Sequence, residues 1–178
     1  MSEPLAIVAV RFPQDLIDHV IDKTTGCLGG AHTEIIYRGG HKRCTATLAD
    51  GFTQKPRPEG YAPGPCQWLF YDISSKLTEE LIEAAEDWAD SEEGAGYDTL
   101  GLFRCWTRIM PASQGKWWCS EASKKWLRVA KVVETGAADI CTPNQNKREL
   151  AGFPTSIVYP YAYPLWNPVL ANHLKWPI

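Results

Sequence analysis

The chain has 178 residues, 44% hydrophobic and 22% charged, a balance that suits one folded domain with a real core. A formal net charge of −3, with no long basic stripe, argues against nucleic acid or an anionic membrane as a partner. The start carries no basic n-region, and the apolar run Leu5 to Val10 is too short for a signal core or a membrane span. A cytoplasmic protein without a transmembrane segment is therefore expected.

In chain order, Leu5 to Val10 reads as a strand buried on both faces. Pro13-Gln14-Asp15 opens a helix whose buried side should hold Leu16, Ile17, Val20 and Ile21, ending near Gly26. Ala31 to Tyr37 reads as a second strand. Its period of two places His32, Glu34 and Ile36 on one face, either solvated at an edge or facing a cleft. Gly39 to Arg43 reads as a hairpin loop, its basic residues as a solvated turn, and Cys44 to Leu48 as the return strand. Thr45 and Thr47 share a face there and could place a hydroxyl beside His32. Residues 55–65, with four Pro and two Gly, are expected to form a long loop.

Gln67 to Ile73 reads as a strand. Thr78 is the predicted N-cap of a helix to about Asp90, with Leu81, Ile82, Ala85, Trp88 and Ala89 buried and Glu79, Glu80, Glu83, Glu86 and Asp87 solvated. Gly96-Tyr97-Asp98 suggests a constrained turn. From Cys119 a further helix is predicted, with Ala122, Trp126, Leu127 and Ala130 on its apolar face and Lys124, Lys125 and Arg128 mainly elsewhere. Thr142-Pro143 reads as an N-cap and first helical position of a short helix to about Leu150. From about 153 to 178 a Pro- and aromatic-rich tail should wrap a surface or contact a protein partner.

Six Cys, at 27, 44, 66, 105, 119 and 141, form no Cys-x-x-Cys pair and read as mostly free thiols. Their spacing provides no metal-ligand cluster, so no metal and no cofactor is expected, although His32, Glu34 and Cys119 together could bind zinc. Cys119 falls at a helix N-terminus, where free N–H groups and the helix dipole push a thiol toward thiolate. The competing reading is a buried Cys that merely packs. Trp117 and Trp118 are candidate walls of a groove, or packing that seats the helix.

Three segments carry a family resemblance: Ala-His-Thr-Glu-Ile-Ile-Tyr (31–37), Gly-Ala-Gly-Tyr-Asp-Thr-Leu-Gly-Leu-Phe (94–103) and Trp-Trp-Cys-Ser-Glu-Ala (117–122). In this order they resemble the circularly permuted papain-fold cysteine hydrolases. That is the NlpC-type superfamily with its YiiX-like branch and, more distantly, the lecithin:retinol acyltransferases. The chain is also similar to small members encoded by tailed bacteriophages, for which the host cytoplasm or the virion is the implied location. The resemblance implies a single α+β domain, residues 1–178, with an antiparallel sheet packed against a helix that bears the nucleophilic Cys at its N-terminus.

It further implies that Cys119 is the nucleophile and His32 its general base, a thiolate–imidazolium couple. Tyr97 falls where an aromatic hydroxyl would assist the oxyanion. Glu34 or Thr47 would orient His32; some relatives carry Glu near the second location, where this chain has Thr-Ala-Thr. The implied activity is a cysteine peptidase or amidase working through an acyl-enzyme on cell-wall peptides. A lipid or thioester acyl hydrolase or acyltransferase, and an inert structural or binding module, are the alternatives.

Overall fold

The computed structural model describes residues 6–14, 16–25, 29–56, 68–101, 113, 115–134 and 141–158. The strands, numbered in chain order, are β1 (Ala6–Arg11), β2 (His32–Tyr37), β3 (Lys42–Thr47), β4 (Gly51–Pro56), β5 (Trp68–Asp72), β6 (Gly96–Tyr97), β7 (Lys116–Trp117) and β8 (Thr155–Val158). The helices are α1 (Leu16–Thr25), α2 (Glu79–Ser91), α3 (Cys119–Val129) and α4 (Pro143–Glu149). Six strands form one sheet in the order β4-β3-β2-β1-β5-β8, every neighbouring pair antiparallel. The short β6 and β7 pair in parallel.

The sheet is built around β1, buried from Ala6 to Val10 as its unbroken apolar run requires. Val8 and Val10 join Ile35, Tyr37, Cys44 and Phe52 on the face covered by α2 and α3. Ile7 and Ala9 join Ile36, Trp68 and Phe70 on the opposite face. Alternation along β2 thus puts Thr33, Ile35 and Tyr37 toward α3, and His32, Glu34 and Ile36 away from it.

α3 lies across β2 and β3 and packs against α2. Ala122, Trp126, Leu127 and Ala130 are buried, the predicted stripe. Full burial of Leu127 alone is worth about 1.5–3 kcal/mol. Lys124, expected off this face, is also buried and pairs with Glu149 Oε1 at 2.6 Å. α4 starts as predicted: Thr142 and Gln145 form a reciprocal capping box, and Pro143 occupies the first turn.

Four expectations are corrected. The apolar side of α1 faces outward: Leu16 is 79% and Ile17 66% exposed, whereas Asp18 is buried. The cause is Asp18, which turns inward to bind Arg11 Nη2 through both oxygens at 2.9 Å. Glu86, expected in solvent, is buried because Arg38 and Lys42 from the β2–β3 hairpin close over α2 and both bind it. β4 goes beyond the predicted strands. Its polar composition and Pro56 suit the sheet edge it occupies, with buried Phe52 as anchor. The start of the expected tail supplies the opposite edge strand, β8; the tail beyond Val158 and most of the 55–65 loop lie outside the described residues.

Gly51, at φ 70°, opens β4 where a Cβ would strike the Ala95 carbonyl oxygen. The Phe52 N–H donates to that same carbonyl at 2.7 Å, which ties β4 to the residues before β6.

Candidate active site

Cys119 is the first residue of α3, after an extended, fully buried Trp118. Trp117 packs on Phe52 and Trp88 and donates from Nε1 to Glu92 at 2.9 Å. Both tryptophans therefore seat the helix start. The Cys119 side chain lies against β2, where the backbone N–H of Thr33 faces its thiol, together with the N–H groups of Ser120 and Cys119 itself.

The sheet leaves room for this contact. The β2–β3 ladder runs only from Tyr37↔Lys42 to Ile35↔Cys44. Beyond it the Thr33 carbonyl accepts the Thr45 hydroxyl at 3.3 Å, and the N–H of the same residue points to the same side, toward the thiol.

Burial decides the protonation state of Cys119. The residue is 2% exposed, and desolvation pushes its pKa up to about 11 against the pull of the N–H groups and of the Arg11 charge. The expected shift toward thiolate at the helix N-terminus is overturned: a helix end favours an anion, but removing the sulfur from water costs more here.

His32 is also held neutral. Burial, then the charges of Arg11 and Arg43, push its pKa down to about 3. Its Nε2 lies 3.2 Å from Thr45 Oγ1 and 4.0 Å from Glu34 Oε2. Thr45 Oγ1 is within reach of both His32 Nε2 and the Thr33 carbonyl oxygen, and its single proton can serve only one of them at a time. With that proton on the Thr33 carbonyl, Nε2 carries hydrogen and the basic lone pair is on Nδ1, the tautomer a general base at Nδ1 requires. The Trp68 ring meets the imidazole edge-on at 6.3 Å.

Glu34 shares the strand face with His32 and is 1% exposed, with Arg43 Nη1 3.6 Å from Oε2. Arg43 is thus part of this cluster rather than of a solvated turn. Thr47 is not at the imidazole: its hydroxyl exchanges hydrogen bonds with the Asp50 N–H and carboxylate in the turn after β3. The hydroxyl at His32 belongs to Thr45, two residues earlier on the same face. Tyr97 is half-buried against the main core, paired through its backbone with Trp117, two residues ahead of Cys119.

The structure brings His32, Glu34 and Thr45 into one cluster on the sheet face turned away from α3, and sets the Cys119 thiol at the backbone N–H of Thr33, the next residue of β2. No direct hydrogen bond joins His32 to Cys119 among the described residues. Arg11, Arg43 and Thr45 complete the surroundings. The signal for Arg11 was a cation closing an otherwise apolar strand.

No protein-family model matches the chain, and a search of curated proteins finds no significant match. The fold class is α+β, with an antiparallel sheet and several helices. Among the described residues, no group of three or more His, Cys, Asp and Glu side chains is placed to hold a metal ion, and no helix is long and apolar enough to cross a membrane.

Proposed function

We propose that the protein is a thiol hydrolase of the permuted papain type, with Cys119 as nucleophile and His32 as general base. The observation that carries this reading is the Cys119 thiol at the start of α3, facing the backbone N–H of Thr33, the residue that follows the buried His32 in β2. With the thiol near pKa 11 and the imidazole near 3, the resting pair is neutral rather than an ion pair. Proton transfer then accompanies attack: the S–H proton moves to His32 Nδ1 as the S–C bond to the substrate carbonyl forms.

Glu34 and Thr45 stabilise the imidazolium so created. The N–H groups of the first turn of α3 are the nearest donors for the oxyanion, with Tyr97 as a further candidate. The imidazolium returns its proton to the leaving amine, and water hydrolyses the acyl-enzyme. On this reading the hydrogen bond between His32 and Cys119 forms only when substrate binds, as catalytic contacts can. Cell-wall peptides are the proposed substrates, and lipid or thioester acyl groups the next. A cytoplasmic site of action goes with this reading.

A second reading has its own support. The depth of Cys119 and its lack of a hydrogen bond to His32 fit an inert scaffold that binds a partner. Turnover separates the two. The hydrolase reading expects purified protein to release product from peptidoglycan fragments or acyl esters, and Cys119→Ala to lose that release. Equal activity in wild type and variant, or none in either, rejects it.

A further inference from the structure

At one end of the contact between β2 and α3, the Tyr37 ring meets the Trp126 ring at 5.4 Å. Counting back from there, Thr33 lies about 14 Å along the strand and Cys119 about 10 Å along the helix. The two come nearly level, and the Thr33 N–H faces the Cys119 thiol at that point. Thr33 shares its sheet face with Ile35 and Tyr37, which pack in the core under α3, so its side chain projects toward the helix start.

The Thr33 hydroxyl is the uncommitted one at this level. Thr33 is fully buried, and its Oγ1 has no hydrogen-bond partner among the described residues. The neighbouring hydroxyls are spent: Ser120 Oγ donates to the Cys141 carbonyl at 2.7 Å, and Ser123 Oγ to the Cys119 carbonyl at 2.9 Å. An unpaired buried hydroxyl works against the fold, so its place beside a nucleophile asks for a use.

We propose that the Thr33 hydroxyl is an oxyanion donor, which hydrogen-bonds the carbonyl oxygen of the acyl group that Cys119 attacks. The inference rests on the hydrolase reading and adds a catalytic residue to it. The carbonyl carbon must come within bonding distance of the sulfur, which brings its oxygen among the groups that surround the sulfur. As the S–C bond forms, the carbonyl π pair moves onto oxygen and the S–H proton goes to His32. The negative oxygen takes the Thr33 O–H together with the N–H groups at the start of α3. When the leaving group departs with the proton from His32, the pair returns and the C=O bond re-forms. A hydroxyl with no bond to give up in the resting protein is preorganised for this oxygen.

Acylation and alkylation of Cys119 separate this role from a structural one. p-Nitrophenyl acetate transfers its acetyl group through a tetrahedral oxyanion, whereas iodoacetamide alkylates sulfur without one. Both reactions are followed at Cys119 in the full chain by mass spectrometry. Thr33→Val keeps the shape and removes the hydroxyl. It should slow acylation by about a hundredfold, the range of one oxyanion donor, and leave alkylation within about twofold. Thr33→Ser should recover most of the acylation rate. Thr33→Val should also unfold at a higher urea concentration than wild type, because it loses an unpaired polar group.

Equal acylation of wild type and Thr33→Val, or equal slowing of acylation and alkylation, overturns the donor and leaves the nucleophile standing. A lower urea midpoint for Thr33→Val overturns it as well, since the hydroxyl would then hold the fold together. A wild-type Cys119 that takes up no acetyl group rejects the hydrolase reading itself, and the donor falls with it.

Discussion

Thr45 Oγ1 lies 3.2 Å from His32 Nε2 and 3.3 Å from the Thr33 carbonyl oxygen. With its proton on that carbonyl, this one hydroxyl sets which imidazole nitrogen carries hydrogen. Thr33 is also the residue whose N–H faces the Cys119 thiol. Of the two side chains expected to orient His32, Glu34 has Oε2 4.0 Å from Nε2 and Thr47 is engaged with Asp50; the hydroxyl at Nε2 is that of Thr45.

Thr45→Val should therefore release the tautomer. In 15N spectra of the imidazole, wild type should show predominantly Nε2–H, and the valine variant a mixture. If the hydrolase reading holds, kcat should drop by about ten- to a hundredfold with KM little changed, the range of a lost general-base orientation. Thr45→Ser should restore both. An unaltered imidazole spectrum in Thr45→Val would sink this assignment.

The two shifted groups set opposite pH limits on stability. His32 has a folded pKa of about 3 against an ordinary 6.5. Between these values the unfolded chain binds a proton that the folded chain does not, so stability falls as the pH drops through that window. Cys119 is raised from 9.0 to about 11, so the unfolded chain loses its proton first and stability falls as the pH rises between them. The buried thiols of Cys44 and Cys141 are raised too and act in the same direction. Chemical denaturation across pH should show a neutral plateau with both limbs. His32→Gln should flatten the acid one, and iodoacetamide labelling of Cys119 should still be accelerating at pH 10. A His32 resonance that titrates near 6.5 would contradict this.

Glu86 binds Arg38 from two nitrogens, at 3.0 and 2.7 Å, and Lys42 from its other oxygen. Glu86→Ala should cost about 1–3 kcal/mol, less than a fully buried pair because both cations remain partly exposed. Ile17→Ser, on the outward face of α1, should stay within about 0.5 kcal/mol of wild type. Urea titrations of both variants check the pair; a reversed order would mean that α1 is covered in solution and that Glu86 is spare.

Local chemistry alone determined much of this protein. The unbroken apolar run made β1 a central strand, and the Ala122, Trp126 and Leu127 spacing set the buried face of α3. Thr142-Pro143 marked a helix start because capping and a fixed φ act within a few residues. The period of two put His32 and Glu34 side by side. What needed the tertiary structure were the terms summed over distant neighbours. Asp18 overrode the apolar pattern of α1 because Arg11 was waiting across the turn. Glu86 left solvent because a hairpin more than forty positions away carried its cations. Thr45 displaced Thr47 because β3 ends in a turn that occupies the latter with Asp50. Cys119, which a helix end alone would make a thiolate, stays a thiol because desolvation, a property of the whole fold, outweighs the dipole of one helix.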